Sequence, residues 1–455
     1  MTDVTLVYPY FRPPHDNSIF RFPPLGLGYI AAFLKQQGIS VDLVDCTFLG
    51  QEEALKRVRR TRPRLVGIYS MYSMKDKSLQ MAEHLRGDCE LLVAGGPLPT
   101  VNPKDFLQRF DVVAIGEGEE TMLELVRAVK NALALSEVKG IAYKDTDKDR
   151  VTFTTRREFI QDLDTIPFPD RRFFDHQAYK EHYLRNFGYT TTSLITSRGC
   201  PFNCDFCSRP IFGNKFRTRS AANIVDEMKA VLDLGYERIW FADDCFTLNR
   251  KRLSNVCDEI IRRGTKIDWE CLSRVDTIDR NIASKMKDAG CVRVFFGIES
   301  GNDRILRLMK KQITTSQAEQ AVKVAKQSGI QVGAFFIVGY PGETNNTILD
   351  TVGFASRLPL DYLSFTMPYP IPGTPLYGRV RDRITLNDCE EPENPRFVKH
   401  MLSFSSRFSE GKLKFAILKG TIQFSLRKKL GTKLSKFMVD PFFERLTNQI
   451  FKLLR

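Results

Sequence analysis

Residues 1–140 alternate between short apolar runs and longer segments of helical period. "VTLVYPY" from Val4 is β-rich, and "PLGLGYIAAFLKQQG" from Pro24 carries an apolar face that stops on Gly38. "VDLVDC" (Val41), a charged helical run from Gln51, "LVGIYSM" (Leu65) and a helix from Lys75 to Arg86 follow. "LLVAGGP" (Leu91), "VVAIGEG" (Val112) and a helix from Glu119 complete the series. Five strands, each followed by a helix, predict an α/β domain with a doubly wound, Rossmann-like five-stranded parallel sheet. Ligands on such sheets bind beyond the carboxyl ends of the strands.

Residues 141–189 read as a linker, with a hairpin around "VKGIAYKDTDKDRVTFTTRR" and a Pro-punctuated stretch "LDTIPFPDRRFF". A second alternation starts at residue 190. "SLITSRG", "RIWFADD" (Arg238), "IDWECLSR" (Ile267), "VRVFFGIES" (Val292), "IQVGAFFIVGY" (Ile330) and "YLSFTMPY" (Tyr362) are its strands, with helical segments between them. Six β/α units over residues 190–385 predict a partial (β/α)6 barrel of TIM type, with its chemistry at the carboxyl ends of the strands. Residues 386–455 read as a basic helical region.

Composition changes this picture little until charge is considered. A chain of 455 residues, 42% hydrophobic and 27% charged, is that of a globular protein with more than one domain. No basic-then-apolar leader opens it, and no apolar run approaches the roughly 20 residues that span a bilayer, so a cytoplasmic protein is expected. Disulfides are rare there, and clustered cysteines bind metal or do chemistry. The formal net charge is +14, and residues 401–455 hold 12 Lys or Arg against 3 Asp or Glu. That tail reads as a solvated helical face, a surface for an anionic partner, or a membrane-surface contact.

The candidate chemistry lies in "SRGCPFNCDFCSRP". Cys200, Cys204 and Cys207 stand in a Cys-x3-Cys-x2-Cys spacing after the first strand of the second array. Structural zinc and closed iron–sulfur sites take four protein ligands. The nearest further thiol, Cys245, belongs to another strand end. Three thiolates therefore suggest a metal site with one position left for a small molecule.

With Phe206 just before the last cysteine, this motif in a β/α array resembles the radical S-adenosylmethionine (SAM) superfamily. The resemblance implies a [4Fe–4S] cluster on Cys200, Cys204 and Cys207. SAM would chelate its open iron and be cleaved reductively to a 5′-deoxyadenosyl radical. It further implies that Phe206 packs near adenine and that "FADD" brings Asp243 and Asp244 to the SAM ammonium. A helix cap before Asn249 is the competing reading of those aspartates. Arg274 would meet the SAM carboxylate, and Glu299 and Ser300 the ribose hydroxyls. Gly339 and Gly342, with Glu343 nearby, resemble the family's glycine motif, where the backbone approaches the ligand closely. Cys245, Cys257, Cys271 and Cys291 read as packing residues, and Cys389 as a loop residue.

A doubly wound domain before such a barrel resembles the cobalamin-binding branch of the superfamily, over roughly residues 1 to 380. "PPLGLGYIAAFL", "AGGPLPT" and "AIGEGEET" carry this likeness. It implies cobalamin contacts at Ser70, Tyr72, Gly95, Gly96 and Glu117, although a Gly-Gly pair also makes an ordinary turn. The Asp-x-His-x-x-Gly signature that supplies a cobalt ligand in many such domains is missing. His15 is the reserve candidate for that role, and His84 reads as surface or core.

The pair of cofactors implies a C-methyltransferase acting on an unactivated sp3 carbon. The adenosyl radical would abstract hydrogen, and methylcobalamin would supply the methyl group. A protein side chain such as one in methyl-coenzyme M reductase is one substrate class. A lipid, a tetrapyrrole or another small molecule, methylated or cyclised, is the alternative. A reductase or ferredoxin-type electron donor is implied, and no nucleic acid is expected. A transfer-RNA methylthiolating enzyme would carry more N-terminal cysteines than Cys46 and Cys89. A cobalamin carrier would have no use for the three cysteines.

Overall fold

The structure is a computed structural model that describes residues 2–11, 20–145, 150–385, 402–438 and 440–454, without the side chains of 431–440. Packing divides the chain into two compact units. One holds residues up to Pro201 together with Arg209–Ile239, and the other holds Phe202–Ser208 together with the described residues from Trp240 onward. The division falls inside the cysteine loop.

The first unit opens with β1 (Val4–Tyr8), α1 (Leu25–Gln36), β2 (Val41–Asp45), α2 (Gln51–Thr61), β3 (Leu65–Tyr69), α3 (Lys75–Leu85) and β4 (Leu91–Gly95). The short helices α4 (Pro97–Val101) and α5 (Pro103–Phe106) lead to β5 (Val112–Ala114) and α6 (Glu119–Asn131). The five strands pair parallel in the order β2-β1-β3-β4-β5. The period of two explains the double winding. Val4, Leu6, Leu65, Leu91 and Val93 pack on one face with Leu27, Ala31 and Leu34 of α1 and Leu125 and Val126 of α6. Val7, Val66, Ile68, Leu92 and Ala94 pack on the other with Leu55 and Val58 of α2 and Met81 and Leu85 of α3.

The hairpin expected as a linker belongs to this sheet. β6 (Ile141–Asp145) pairs antiparallel with β5, and β7 (Arg150–Phe153) with β6, so the sheet has seven strands rather than five. Burial accounts for this: Ile141 and Ala142 are fully buried, one against each apolar layer. The unit continues through α7 (His176–Phe187), β8 (Thr191–Leu194), a two-residue pairing of β9 (Ser197–Arg198) with β10 (Arg217–Thr218), and α8 (Ala221–Asp233).

Next come β11 (Arg238–Phe241), α9 (Arg250–Arg262), β12 (Asp268–Ser273), α10 (Arg280–Asp288) and β13 (Cys291–Glu299). They are followed by α11 (Asp303–Leu308), α12 (Thr315–Gln327), β14 (Gln331–Ile337), α13 (Asn345–Arg357) and β15 (Tyr362–Thr366). β8 and β11 to β15 lie side by side in chain order in one six-stranded sheet, the arrangement of a partial barrel. β12 through β15 pair parallel. In the second unit α14 (Pro375–Val380) precedes two C-terminal helices, α15 (Glu410–Met438) and α16 (Asp440–Leu453). No helix among the described residues is long and apolar enough to cross a membrane.

Candidate functional site

The cysteine loop begins at a glycine that geometry requires. Gly199 has φ +83°, and a Cβ there would lie 2.4 Å from the Lys215 carbonyl oxygen. The Cys200 amide donates to Gly213 O at 3.2 Å, and its carbonyl accepts from Arg209 Nη1. In the second unit, the Cys207 amide donates to Cys204 O at 3.2 Å, which makes a tight turn. The backbone of Asp205 is held on both sides, donating to Met309 O at 3.0 Å and accepting from the Leu376 amide at 3.1 Å. Its carboxylate pairs with Arg379 at 2.6 Å. Cys204 is buried, Cys207 is exposed, and all three thiols are free of disulfides. Among the described residues no three His, Cys, Asp or Glu side chains gather into a formed metal site. The donor set nevertheless suits a cluster: three soft sulfurs within eight residues of one loop, while Cys245 Sγ lies 3.7 Å from Thr247 Oγ1.

Beside Cys204 the second unit buries two cations. Lys311 Nζ donates to Glu299 Oε1 at 2.9 Å and lies 5.9 Å from the Phe206 ring centroid. Burial would depress the amine, but Glu299 and the Cys204 sulfur outweigh it and raise its pKa above the ordinary lysine value. Glu299 reaches this position through backbone strain. The β13–β14 register slips between Gly297 and Glu299, and Glu299 has φ +73°. Gly297 makes the room, because a Cβ there would lie 2.6 Å from Glu299 Oε1 and 3.0 Å from Lys311 Nζ. The second cation is Arg274, whose guanidinium stacks 3.5 Å above Phe202. Its Nε and Nη2 fork onto Asp276 at 2.9 and 2.8 Å, and Nη2 also donates to Lys311 O at 3.0 Å. Two of its three nitrogens are therefore engaged within the protein.

Other sequence-derived candidates are placed differently from expectation. Ser300 is fully buried, with its hydroxyl against Thr351 Oγ1 at 3.0 Å, so it braces α13 rather than facing a ribose. Asp243 is buried, with Arg252 3.6 Å away, whereas Asp244 is exposed. Neither caps α9, because Asn249 does so with its own side chain. Gly339 has φ +93°, but the group that needs its missing Cβ is Leu413 of α15, 2.5 Å away. Glu343 turns back on its own loop, accepting from the Gly339 and Tyr340 amides at 2.6 and 2.8 Å through Oε2. Full burial pushes its pKa up to about 8, and those two amides pull the other way. Phe206 meets Tyr340 edge-on at 6.5 Å.

In the first unit, Gly95 has nothing within 4 Å of a would-be Cβ, which leaves an open face past β4. Gly96, with φ +111°, packs instead on the Ser70 carbonyl, where a Cβ would lie 2.5 Å away. Ser70 is itself fully buried, and its hydroxyl accepts from Ser78 Oγ at 2.9 Å. Tyr72 is half-buried against the α2–α3 layer. Glu117 is held by cations and a backbone amide. Its Oε1 accepts from Arg198 Nη1 and Arg217 Nη1, both at 2.9 Å, and its Oε2 accepts from the Ile160 amide at 2.9 Å. With Arg198 also bound to Glu119, two arginines and two glutamates form a buried, charge-balanced network. His15 and Cys389 lie outside the described residues, and His84 is exposed at the end of α3.

Sequence reasoning missed Lys311, Asp205 and Arg379. "MKKQ" looks like a solvated turn, and only the left-handed Lys310 (φ +51°) and Gln312 (φ +57°) on either side turn Lys311 inward.

The family model for the Radical SAM superfamily matches residues 194–355, and that for the B12 binding domain matches residues 16–126. An uncharacterized methyltransferase, PH0819, of Pyrococcus horikoshii is 35% identical over 384 residues, covering 80% of this chain and 81% of its own. The chain belongs to the cobalamin-binding branch of the radical SAM superfamily. The anaerobic magnesium-protoporphyrin IX monomethyl ester cyclase of Rubrivivax gelatinosus is 29% identical over 411 residues, covering 85% of this chain and 72% of that one. Among solved structures, the cobalamin-dependent S-adenosylmethionine radical enzyme OxsB, with aqua-cobalamin and S-adenosylmethionine bound, superposes with a TM-score of 0.77 at 20% identity. It covers 99% of this chain and 72% of that one, and it shows the shared fold. The protein is thus an enzyme of the cobalamin-dependent radical SAM kind, with a [4Fe–4S] cluster, SAM and cobalamin as its cofactors.

Proposed function

We propose that this enzyme is a C-methyltransferase acting on an unactivated sp3 carbon. The similarity that carries the reading is the one to the Pyrococcus horikoshii methyltransferase, which spans both domains. The cofactors supply a carbon-centred radical and a transferable methyl group; the chain supplies placement and shielding from water. Cys200, Cys204 and Cys207 would hold the cluster. Phe206 and Glu299 would border SAM, with Lys311 fixing the Glu299 carboxylate. Arg274 and Glu343 would position the surrounding backbone, and Asp243 and Asp244 would sit at the β11 end of the same site. The open face at Gly95, with Gly96 and Tyr72 beside it, would receive cobalamin.

The substrate class we favour is a protein side chain, such as one in methyl-coenzyme M reductase, with electrons from a ferredoxin-type donor. The likeness to the Rubrivivax cyclase keeps a second reading, ring formation on a tetrapyrrole or other small molecule. The test is anaerobic turnover with SAM labelled in its methyl group, added to a cell extract with a low-potential reductant. Methylation yields 5′-deoxyadenosine, S-adenosylhomocysteine and a labelled macromolecule. 5′-Deoxyadenosine with no label transferred would support the cyclase reading. Absence of 5′-deoxyadenosine would refute both.

A further inference from the structure

The last helix wears its apolar side outward. On α16, Thr447 and Phe451 are buried, and the Glu444 carboxylate turns inward, 3.6 Å from a Cβ built on Gly353 of α13. Phe442 (73% exposed), Leu446 (44%), Ile450 (38%) and Leu453 (82%) stand about one turn apart on the opposite side. Scattered exposed leucines are ordinary, but a four-residue row is not. Arg445 and Lys452 are exposed beside this row. α15 repeats the pattern, with exposed Leu418 and Ile422 a turn apart and exposed Lys429 two turns further on.

The rest of the tail's charge does not weaken this contrast. Lys412 is used internally, donating to Leu454 O at 2.7 Å over the Phe451 ring, and Arg427 donates to Ser356 Oγ at 2.7 Å. Arg445 and Lys452, beside the row, are exposed, while Lys412 ties α15 to the end of α16 and Arg427 and Lys428 tie α15 to Ser356 and Asp361. Large apolar side chains flanked by Lys and Arg, on a helix too short to span, form the pattern of an interfacial anchor.

We propose that the outer face of α16 seats the enzyme on an anionic lipid bilayer surface. Phe442, Leu446 and Leu453 would enter the headgroup–acyl boundary, and Arg445 and Lys452 would meet lipid phosphates. The inference does not depend on the methylation reading, because it is measured without turnover.

The experiment is co-sedimentation of the holoenzyme with vesicles of phosphatidylcholine alone or mixed equally with phosphatidylglycerol. Wild type is expected to pellet with the anionic vesicles, to stay soluble with the neutral ones, and to be released by salt. A triple variant, Phe442→Ser, Leu446→Ser and Leu453→Ser, should bind at least tenfold more weakly, as should Arg445→Glu with Lys452→Glu. All five side chains are exposed, so an unchanged urea midpoint by tryptophan emission confirms that the variants fold. Failure of wild type to bind anionic vesicles, or variants that bind as well as wild type, would overturn the proposal. So would a wild-type dimer that the serine variant dissolves, since a second copy would then cover this face.

Discussion

Replacing Lys311 with Met tests whether the Glu299–Lys311 pair is structural in the way the geometry indicates. Met keeps most of the side chain's length and removes its charge. Both partners are nearly buried, with side-chain exposures of 9% for Lys311 and 11% for Glu299. The change leaves the Glu299 carboxylate on a left-handed backbone with its partner gone. Removing one member of a buried pair costs about 3–5 kcal/mol, whereas an exposed pair would cost under about 1. The only two tryptophans, Trp240 and Trp269, both lie in the second unit, so their emission in urea reports that unit. With a urea slope of about 2–3 kcal/mol per molar, the midpoint should fall by about 1–2 M. Lys311→Arg should lose much less, and Lys311→Met combined with Glu299→Gln should recover most of the loss. A midpoint within about 0.3 M of wild type for the single variant would mean that water solvates Glu299. The burial argument would then be refuted.

Two further outcomes follow from other buried carboxyls. Glu343 holds its proton in the folded state up to about pH 8, while the unfolded chain releases it near 4.5, the ordinary value for a glutamate. Its contribution is therefore full below pH 4.5 and lost as pH rises to 8, at up to about 1.4 kcal/mol per unit. The same tryptophan-detected midpoint should fall between pH 5 and 8 in wild type and flatten in Glu343→Gln; equal slopes would contradict the assignment. Glu117→Gln should leave Arg198 and Arg217 undercompensated at a cost of about 3 kcal/mol, which is about a hundredfold faster amide exchange around residues 116–121 and 197–199. Cobalamin content should be unchanged; loss of cobalamin with exchange unaltered would restore Glu117 as a cofactor contact.

Much of the fold could be read from periodicity because β1–β5 and β12–β15 pair parallel, and the first sheet is covered on both faces. Runs such as "VTLVY" and "LLVAG" have few other uses. The β6–β7 hairpin was misassigned because alternation alone does not say which sheet a hairpin joins. The cysteine spacing was legible because a metal ligand set is local in sequence. The carboxylates were harder to read. "GEGE" and "GIES" look alike as acidic punctuation near glycines. Glu117 pairs with arginines 81 and 100 positions away in the chain, and Glu299 with a lysine 12 positions on. An acidic residue's role depends on which cation the topology delivers, and periodicity carries no record of that.

Glycine was misread for a related reason. At Gly95 the space beside the Cα is open, as a bound ligand needs. At Gly96 and Gly339 the same residue type admits protein instead, the Ser70 carbonyl in one case and Leu413 in the other. The second case ties the barrel's carboxyl end to a helix that begins more than 50 residues beyond the matched superfamily region. Leu413 and Ala416 are fully buried, and a Cβ on Gly420 would lie 2.9 Å from Phe365 and Val352. α15 is therefore a wall of the second unit, not an appendage to it. Its basic sequence drew attention as a docking tail, yet its small and apolar positions hold the loop of Gly339 and Glu343 in place. α16, which packs through Thr447 and Phe451, is left to present the outward apolar row.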